Sequence, residues 1–206
     1  MTRGLVAVLV ASLMCVGCAT ERPPPAPTQT YTLTGVNPEA TSSASKPRSG
    51  GVIRIEPVTA PAWMQGRRIC YRLDYYNRGE MAYYSQSQWS GHVPAMIGQV
   101  VRDALIQYGQ WRAVVGPQDD THATAKVEIR LLDLCQEFST PKRSTGVLAA
   151  RVTVSDPSTA RVIAQRELIY RKSAPSLDAA GGVAAERQAV KELARDVASW
   201  VARLTS

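Results

Sequence analysis

The segment VPAMIGQVVRDALIQYGQWRAVV, residues 93–115, changes its hydrophobic period part-way along. Val93, Met96, Ile97, Val100, Val101, Ala104, Leu105 and Tyr108 recur at i, i+3, i+4 and i+7, which lines one face of a four-turn helix. Pro94 suits the first turn, where a missing N–H costs nothing, and Gly109 is placed to stop the helix. Residues 111–115 then read as a short strand. An amphipathic helix between strands must bury its stripe against a sheet.

Working outward, Ile53 and Ile55 alternate with polar neighbours over residues 52–58, a strand whose end is limited by Pro57. Residues 68–74 and 81–85 read as a hairpin across the turn Asn77-Arg78-Gly79-Glu80. Downstream, residues 125–138 form a longer strand with Val127, Ile129 and Leu131 on one face. Leu132 and Leu134 switch the phase, so a bulge is expected near Asp133. Residues 147–154 and 161–170 are two further strands joined through Ser155-Asp156-Pro157-Ser158-Thr159. A closing helix over 183–204 aligns Val183, Val190, Leu193, Ala194, Val197, Trp200, Val201 and Leu204, with Gly181-Gly182 as punctuation before it. Strands, helix, strands, helix with mostly hairpin-length connections predict an α+β fold. The sheet should be antiparallel or mixed, with two main amphipathic helices packed on one face.

The chain has 206 residues, 45% hydrophobic and 20% charged, which excludes wholesale disorder and a polytopic membrane protein. Its start is different in kind. Met1-Thr2-Arg3 precedes an uncharged stretch, residues 5–16, too short at about 18 Å to cross a bilayer core of roughly 30 Å and therefore read as a signal segment. It ends in Cys15-Val16-Gly17-Cys18-Ala19, which resembles the lipobox of bacterial lipoproteins, in which the cysteine after the cut is acylated. Residues 1–17 are thus expected to be a lipoprotein signal peptide, with Cys18 as the lipidated N-terminus and Cys15 discarded. A Cys-x-x-Cys redox pair is disfavoured, because it needs a folded, electropositive helix start. Ala19 after the cysteine resembles an outer-membrane address. Residues 18–51 hold six of the chain's 13 prolines and read as a Pro/Ser-rich tether with a short strand near 31–33. Residues 52–206 form a single domain.

Cys70 and Cys135 remain, both on expected strands in an exported protein. The alternatives are a disulfide, closing a loop worth on the order of 4 kcal/mol, and two separately buried thiols. No catalytic residue is singled out: H-E-x-x-H, G-x-S-x-G, Walker and G-x-G-x-x-G patterns are absent, and His92 and His122 have no metal spacing. Asp119-Asp120 beside Gly116-Pro117 reads as a solvated loop. No enzyme, cofactor or metal is expected, apart from covalent lipid on Cys18. The +7 formal charge comes from scattered arginines (Arg54, Arg72, Arg130, Arg151 and Arg166 along strands), which argues against nucleic acid. Contact with anionic headgroups or an acidic partner, or solubility alone, accounts for it. Residues 63–89 hold seven of the thirteen aromatics, and Trp63, Tyr75, Tyr76, Tyr83, Tyr84 and Trp89 are candidates for an interface, since adjacent pairs place one ring on each sheet face.

Several of these pieces together resemble the ABC-type transport auxiliary lipoproteins of the PqiC/YmbA type. They are Gly17-Cys18, Tyr31-x-Leu33 after the tether, Ile53-x-Ile55 leading to Pro61-Ala62-Trp63, Ile69-x-Tyr71-Arg72, Gln88-Trp89-Ser90, and Trp200 in the last helix. Gln88 departs from the family's usual Arg. The resemblance implies a periplasm-facing, lipid-anchored outer-membrane subunit of an MCE-type lipid transport system driven by an ABC permease and ATPase. Its partners would be an MCE-domain protein, outer-membrane lipid and other copies in a homo-oligomeric ring, with the Tyr-rich hairpin and first helix in contact. A different class of reading is an envelope-assembly lipoprotein serving lipopolysaccharide insertion or cell-wall synthesis.

Overall fold

A computed structural model describes residues 27–34, 50–108 and 110–205. The signal peptide 1–17, Cys18, most of the tether and the helix stop at Gly109 lie outside the described residues. Among the described residues eight strands form one mixed sheet: β1 (Gln29–Tyr31), β2 (Gly50–Ile55), β3 (Arg68–Leu73), β4 (Ala82–Trp89), β5 (Trp111–Val115), β6 (Ala125–Thr140), β7 (Arg143–Ser155) and β8 (Val162–Ser173). Two long helices complete it, α1 (Val93–Tyr108) and α2 (Ala179–Leu204). The α+β architecture expected from the sequence is the one observed.

The long strand β6 is the spine. Along one edge it pairs antiparallel with β7 for nearly its whole length, and β7 pairs in turn with β8. Along the other edge it takes two partners in succession, both parallel: β2 beside residues 125–127 and β3 beside residues 136–138, with a single bridge from Thr59 to Arg130 between them. β5 extends the sheet beyond β2, and β4 then β1 extend it beyond β3. The bulge expected near Asp133 is the register shift between Leu131 and Asp133. It lets Val127, Ile129 and Leu131 share the helix-bearing face with Leu134, Gln136 and Phe138.

Both helices pack on that face, α2 across β6, β7 and β8, and α1 against α2 and β5. Their stripes meet the alternating strand residues in one core that includes Ile97, Val101, Leu105, Leu193, Val197, Leu148 and Val152, all fully buried. α2 begins at Ala179, four residues ahead of the expected 183, because Asp178 is its N-cap and accepts from the Gly181 N–H at 2.8 Å. Gly181 and Gly182 therefore lie inside the first turn. Gly182 sits directly against the Gln136 side chain, and a Cβ on Gly146 of β7 would fall 2.7 Å from the Ala185 Cβ. These two positions let helix and sheet approach closely.

The opposite face is open to solvent over β6 to β8 and carries ion pairs, Lys126 with Glu128 at 3.3 Å and Arg151 with Glu167 at 3.1 Å, alongside exposed Ile163 and Ile169 on β8. The tether island docks as β1, parallel to β4, at residues 29–31; Leu33 behind it is 2% exposed and plugs the core.

Candidate functional site

Three groups of side chains carry chemistry beyond packing. The first is a groove of about 710 Å³ between α1 and the chain that follows β2. Its floor is apolar, with Ile55, Val58, Pro94 and Ala95, and its rim carries Glu56, His92, Gln99 and Arg102. The strand expected over 52–58 stops at Ile55, since Pro57 has no N–H for a ladder, and the released segment forms the groove wall. Gly98 on α1 faces Val58 and keeps the two elements close. The Nδ1 of His92 and the Gln65 carbonyl are 2.5 Å apart, tying the helix start to the loop after a short 3-10 turn at Ala62–Met64. An apolar floor with a mixed rim suits a protein segment or an amphiphile.

The second is the aromatic stretch, and the structure divides it. Trp89 is 2% exposed and belongs to the core. Tyr84 faces the helix side, packs on Tyr71 with ring centroids 4.8 Å apart and the planes tilted by 44°, and donates its hydroxyl to Gln136 Oε1 at 2.8 Å. Trp63 is half-buried against the core, and Tyr83 carries Arg68 over its ring at 3.8 Å. Of the six candidates only Tyr75 and Tyr76, at the hairpin tip, are exposed, by 45% and 80%. Tyr83 and Tyr84 do send one ring to each sheet face, whereas Tyr75 and Tyr76 lie in the turn and are both exposed; Trp89 is corrected from surface to core, and Tyr84 to a half-buried position packed against the core.

The third group escaped the sequence reading: a polar cluster beneath α2. Gln136 and Ser144, 0% and 2% exposed, are joined by a 2.8 Å hydrogen bond. Glu186 reaches the same space at 1% exposure with neither carboxylate oxygen hydrogen-bonded. Burial, and then the charge of Asp133, push its carboxyl well above the usual range. Glu186 lies three positions after Val183 and four before Val190, on the apolar stripe itself, and that was the available signal.

Cys70 and Cys135 are bonded across the parallel pair β3 and β6, with Cα atoms 4.8 Å apart. Beside them Arg72 forks to Asp133 (2.5 Å) and Glu137 (2.6 Å), and Arg171 also pairs with Glu137. Burial still holds Asp133 above its ordinary value against the pull of Arg72. Other strand arginines are likewise occupied: Arg54 donates to the carbonyls of Asp119 and Thr121, and Arg166 lies 5.5 Å over Trp200. Among the described residues no group of three or more His, Cys, Asp or Glu is placed to hold a metal, and no helix is long and apolar enough to cross a membrane.

The family model for the ABC-type transport auxiliary lipoprotein component matches residues 31–198, from β1 through most of α2. The chain belongs to this family. As an ABC-type auxiliary lipoprotein it has an accessory role in a transport system, which suggests a membrane-anchored envelope protein. Its fold is similar to that of protein XCC0632 from Xanthomonas campestris, at a TM-score of 0.69 and 18% identity over 79% of this chain and 89% of that one. An uncharacterised protein of known structure is similar at 0.66 and 10% identity, over 85% of this chain and 99% of that one. At these identities the likeness is one of fold. No curated protein matches the auxiliary lipoprotein chain.

Proposed function

We propose that the auxiliary lipoprotein is the non-enzymatic, outer-membrane-anchored subunit of an MCE/ABC-type intermembrane lipid transport system. Acylated Cys18 holds it in the inner leaflet, the tether carries the domain into the periplasm, and the domain receives the MCE component. The observation that carries this reading is the family match, which runs over residues 31–198, from the end of β1 through most of α2. The groove along α1 supplies a place for the partner. It is built from helix and strand-end residues, has an apolar floor, and offers Glu56, His92 and Arg102 for polar contacts at the rim. The tyrosines of the hairpin, which the sequence grouped with α1 as one contact surface, stand elsewhere. The bridge from Thr59 to Arg130 marks the level of the groove, ten residues along β6 from Thr140, or about 33 Å.

Replacing the acylated residue tests the anchor. Cys18→Ser protein is expected to leave the outer-membrane fraction for the soluble periplasm. A variant that still fractionates with the outer membrane contradicts lipidation at this position.

A further inference from the structure

β3 and β6 are parallel, and β7 is antiparallel to both β6 and β8. The β3–β4 turn, the β6–β7 turn and the segment leading from β8 into α2 therefore meet at one end of the sheet. Three exposed large apolar side chains gather there: Tyr76 at 80%, Leu177 at 46% and Tyr75 at 45%. Arg78, Lys142 and Arg143 are exposed at the same end, and none makes an ion pair among the described residues. Three of the four acidic groups described nearby are engaged within the protein. Glu137 is held by Arg72 and Arg171, Asp178 caps α2, and Glu80 accepts from Asn77 at 2.9 Å; Asp74 is half-buried. Amphipathic rings beside long cationic side chains match the headgroup region of a bilayer, where a phenol straddles the apolar boundary and a cation reaches phosphate.

The course of the chain points the same way. β1 lies parallel to β4 with Gln29 beside Ser87 and Tyr31 beside Trp89, so the chain comes into β1 from the hairpin end. Cys18 precedes Gln29 by 11 residues. That length reaches up to about 40 Å. The five positions from Ser87 back to Ala82, the start of β4, span about 17 Å. The acylated residue can thus reach the level of the hairpin tip with chain to spare.

We propose that the hairpin end is a membrane seat. Tyr75, Tyr76 and Leu177 dip into the headgroup region of a phospholipid bilayer, while Arg78, Lys142 and Arg143 bind its phosphates. The domain then stands upright on its tether with the α1 groove facing the periplasm, about 30 Å from the lipid surface. This seating rests on acylation of Cys18 and is independent of which partner fills the groove.

The test uses the acylated full-length mature protein in vesicles of phosphatidylethanolamine and phosphatidylglycerol with brominated acyl chains. Tyr76→Trp places a fluorophore at the tip, and Arg161→Trp places one in the β7–β8 turn at the opposite end. Against the parent protein, the added emission of Tyr76→Trp is expected to fall by about half or more, while that of Arg161→Trp stays unchanged. Protein that floats with the vesicles but is not quenched at position 76 overturns the seating and leaves the anchor standing. A concentration-dependent emission shift at position 76 without bromine quenching assigns the tip to a second copy and also overturns it. Protein that does not float overturns the anchor, and the seating with it.

Discussion

Glu186 is a carboxylic acid set among apolar residues of α2. It occupies an apolar-stripe position of α2, is 1% exposed, and has no hydrogen-bond partner for either oxygen. Burial raises the pKa of the folded carboxyl above its ordinary 4.5, so the folded protein keeps a proton that the unfolded chain releases. Stability from this group is therefore complete below about pH 4.5 and declines as the pH rises toward the folded value. A Glu186→Met variant, apolar and of similar volume, is expected to be more stable than the parent by about 1–3 kcal/mol at pH 8 and by much less at pH 5. Urea unfolding at the two pH values measures this double difference. A gap that does not widen with pH would mean that Glu186 is ionised and partnered. At this scale the sequence was legible where a side chain's type matched its position, as at Leu33, Ile53 and Val127. It was not legible where a polar residue was drawn inside, because the stripe identifies a face and says nothing of what the facing strand brings to it. Here the facing strands bring Gln136 and Ser144.

At the scale of elements, periodicity located α1 over its whole length and β5 from end to end, since each carries an uninterrupted pattern. Ends set by tertiary contact were less visible. β4 runs on to Trp89, beyond the expected 85, because β1 and β3 flank it there and supply partners. α2 starts before its glycines because Asp178 caps it, and Gly182 is tolerated in the first turn because a side chain there would collide with Gln136. The same close approach makes Gly146 critical: a branched side chain would drive into Ala185 and the Glu186 backbone nitrogen, 2.8 Å from a bare Cβ. Gly146→Val is expected to cost about 3 kcal/mol or more, read as a lowered thermal midpoint with a more exposed α2 in hydrogen exchange. The β3–β6 disulfide is the second device at this scale. It links strands 65 residues apart in sequence, so Cys70→Ala/Cys135→Ala is expected to lose roughly 2–4 kcal/mol by denaturant unfolding. A double variant as stable as the parent would show that the parallel pairing alone holds β3. Sequence placed both cysteines on strands, yet their partnership depends on β3 and β2 sharing one edge of β6, a topology that local pattern does not encode.

For the whole molecule, the fold sets the proposed membrane seat and the proposed docking groove apart along the spine strand. The hairpin end carries the exposed Tyr75 and Tyr76 and faces the side from which the tether arrives, and the α1 groove lies well up the sheet. A subunit that joins a membrane to a periplasmic component needs this separation, since one surface cannot serve both. Family membership supports the transport role, and the groove is the surface on which the docking reading can be judged. The direct measurement is site-specific photo-crosslinking in intact cells, with the reactive residue in place of Ala95 or Gln99 on the groove face of α1 and of Arg161 as a control. The account predicts adducts with an MCE-domain protein from the groove positions and none from Arg161. Adducts from the groove with a lipopolysaccharide-insertion or cell-wall synthesis protein, and none with an MCE-domain protein, would contradict it.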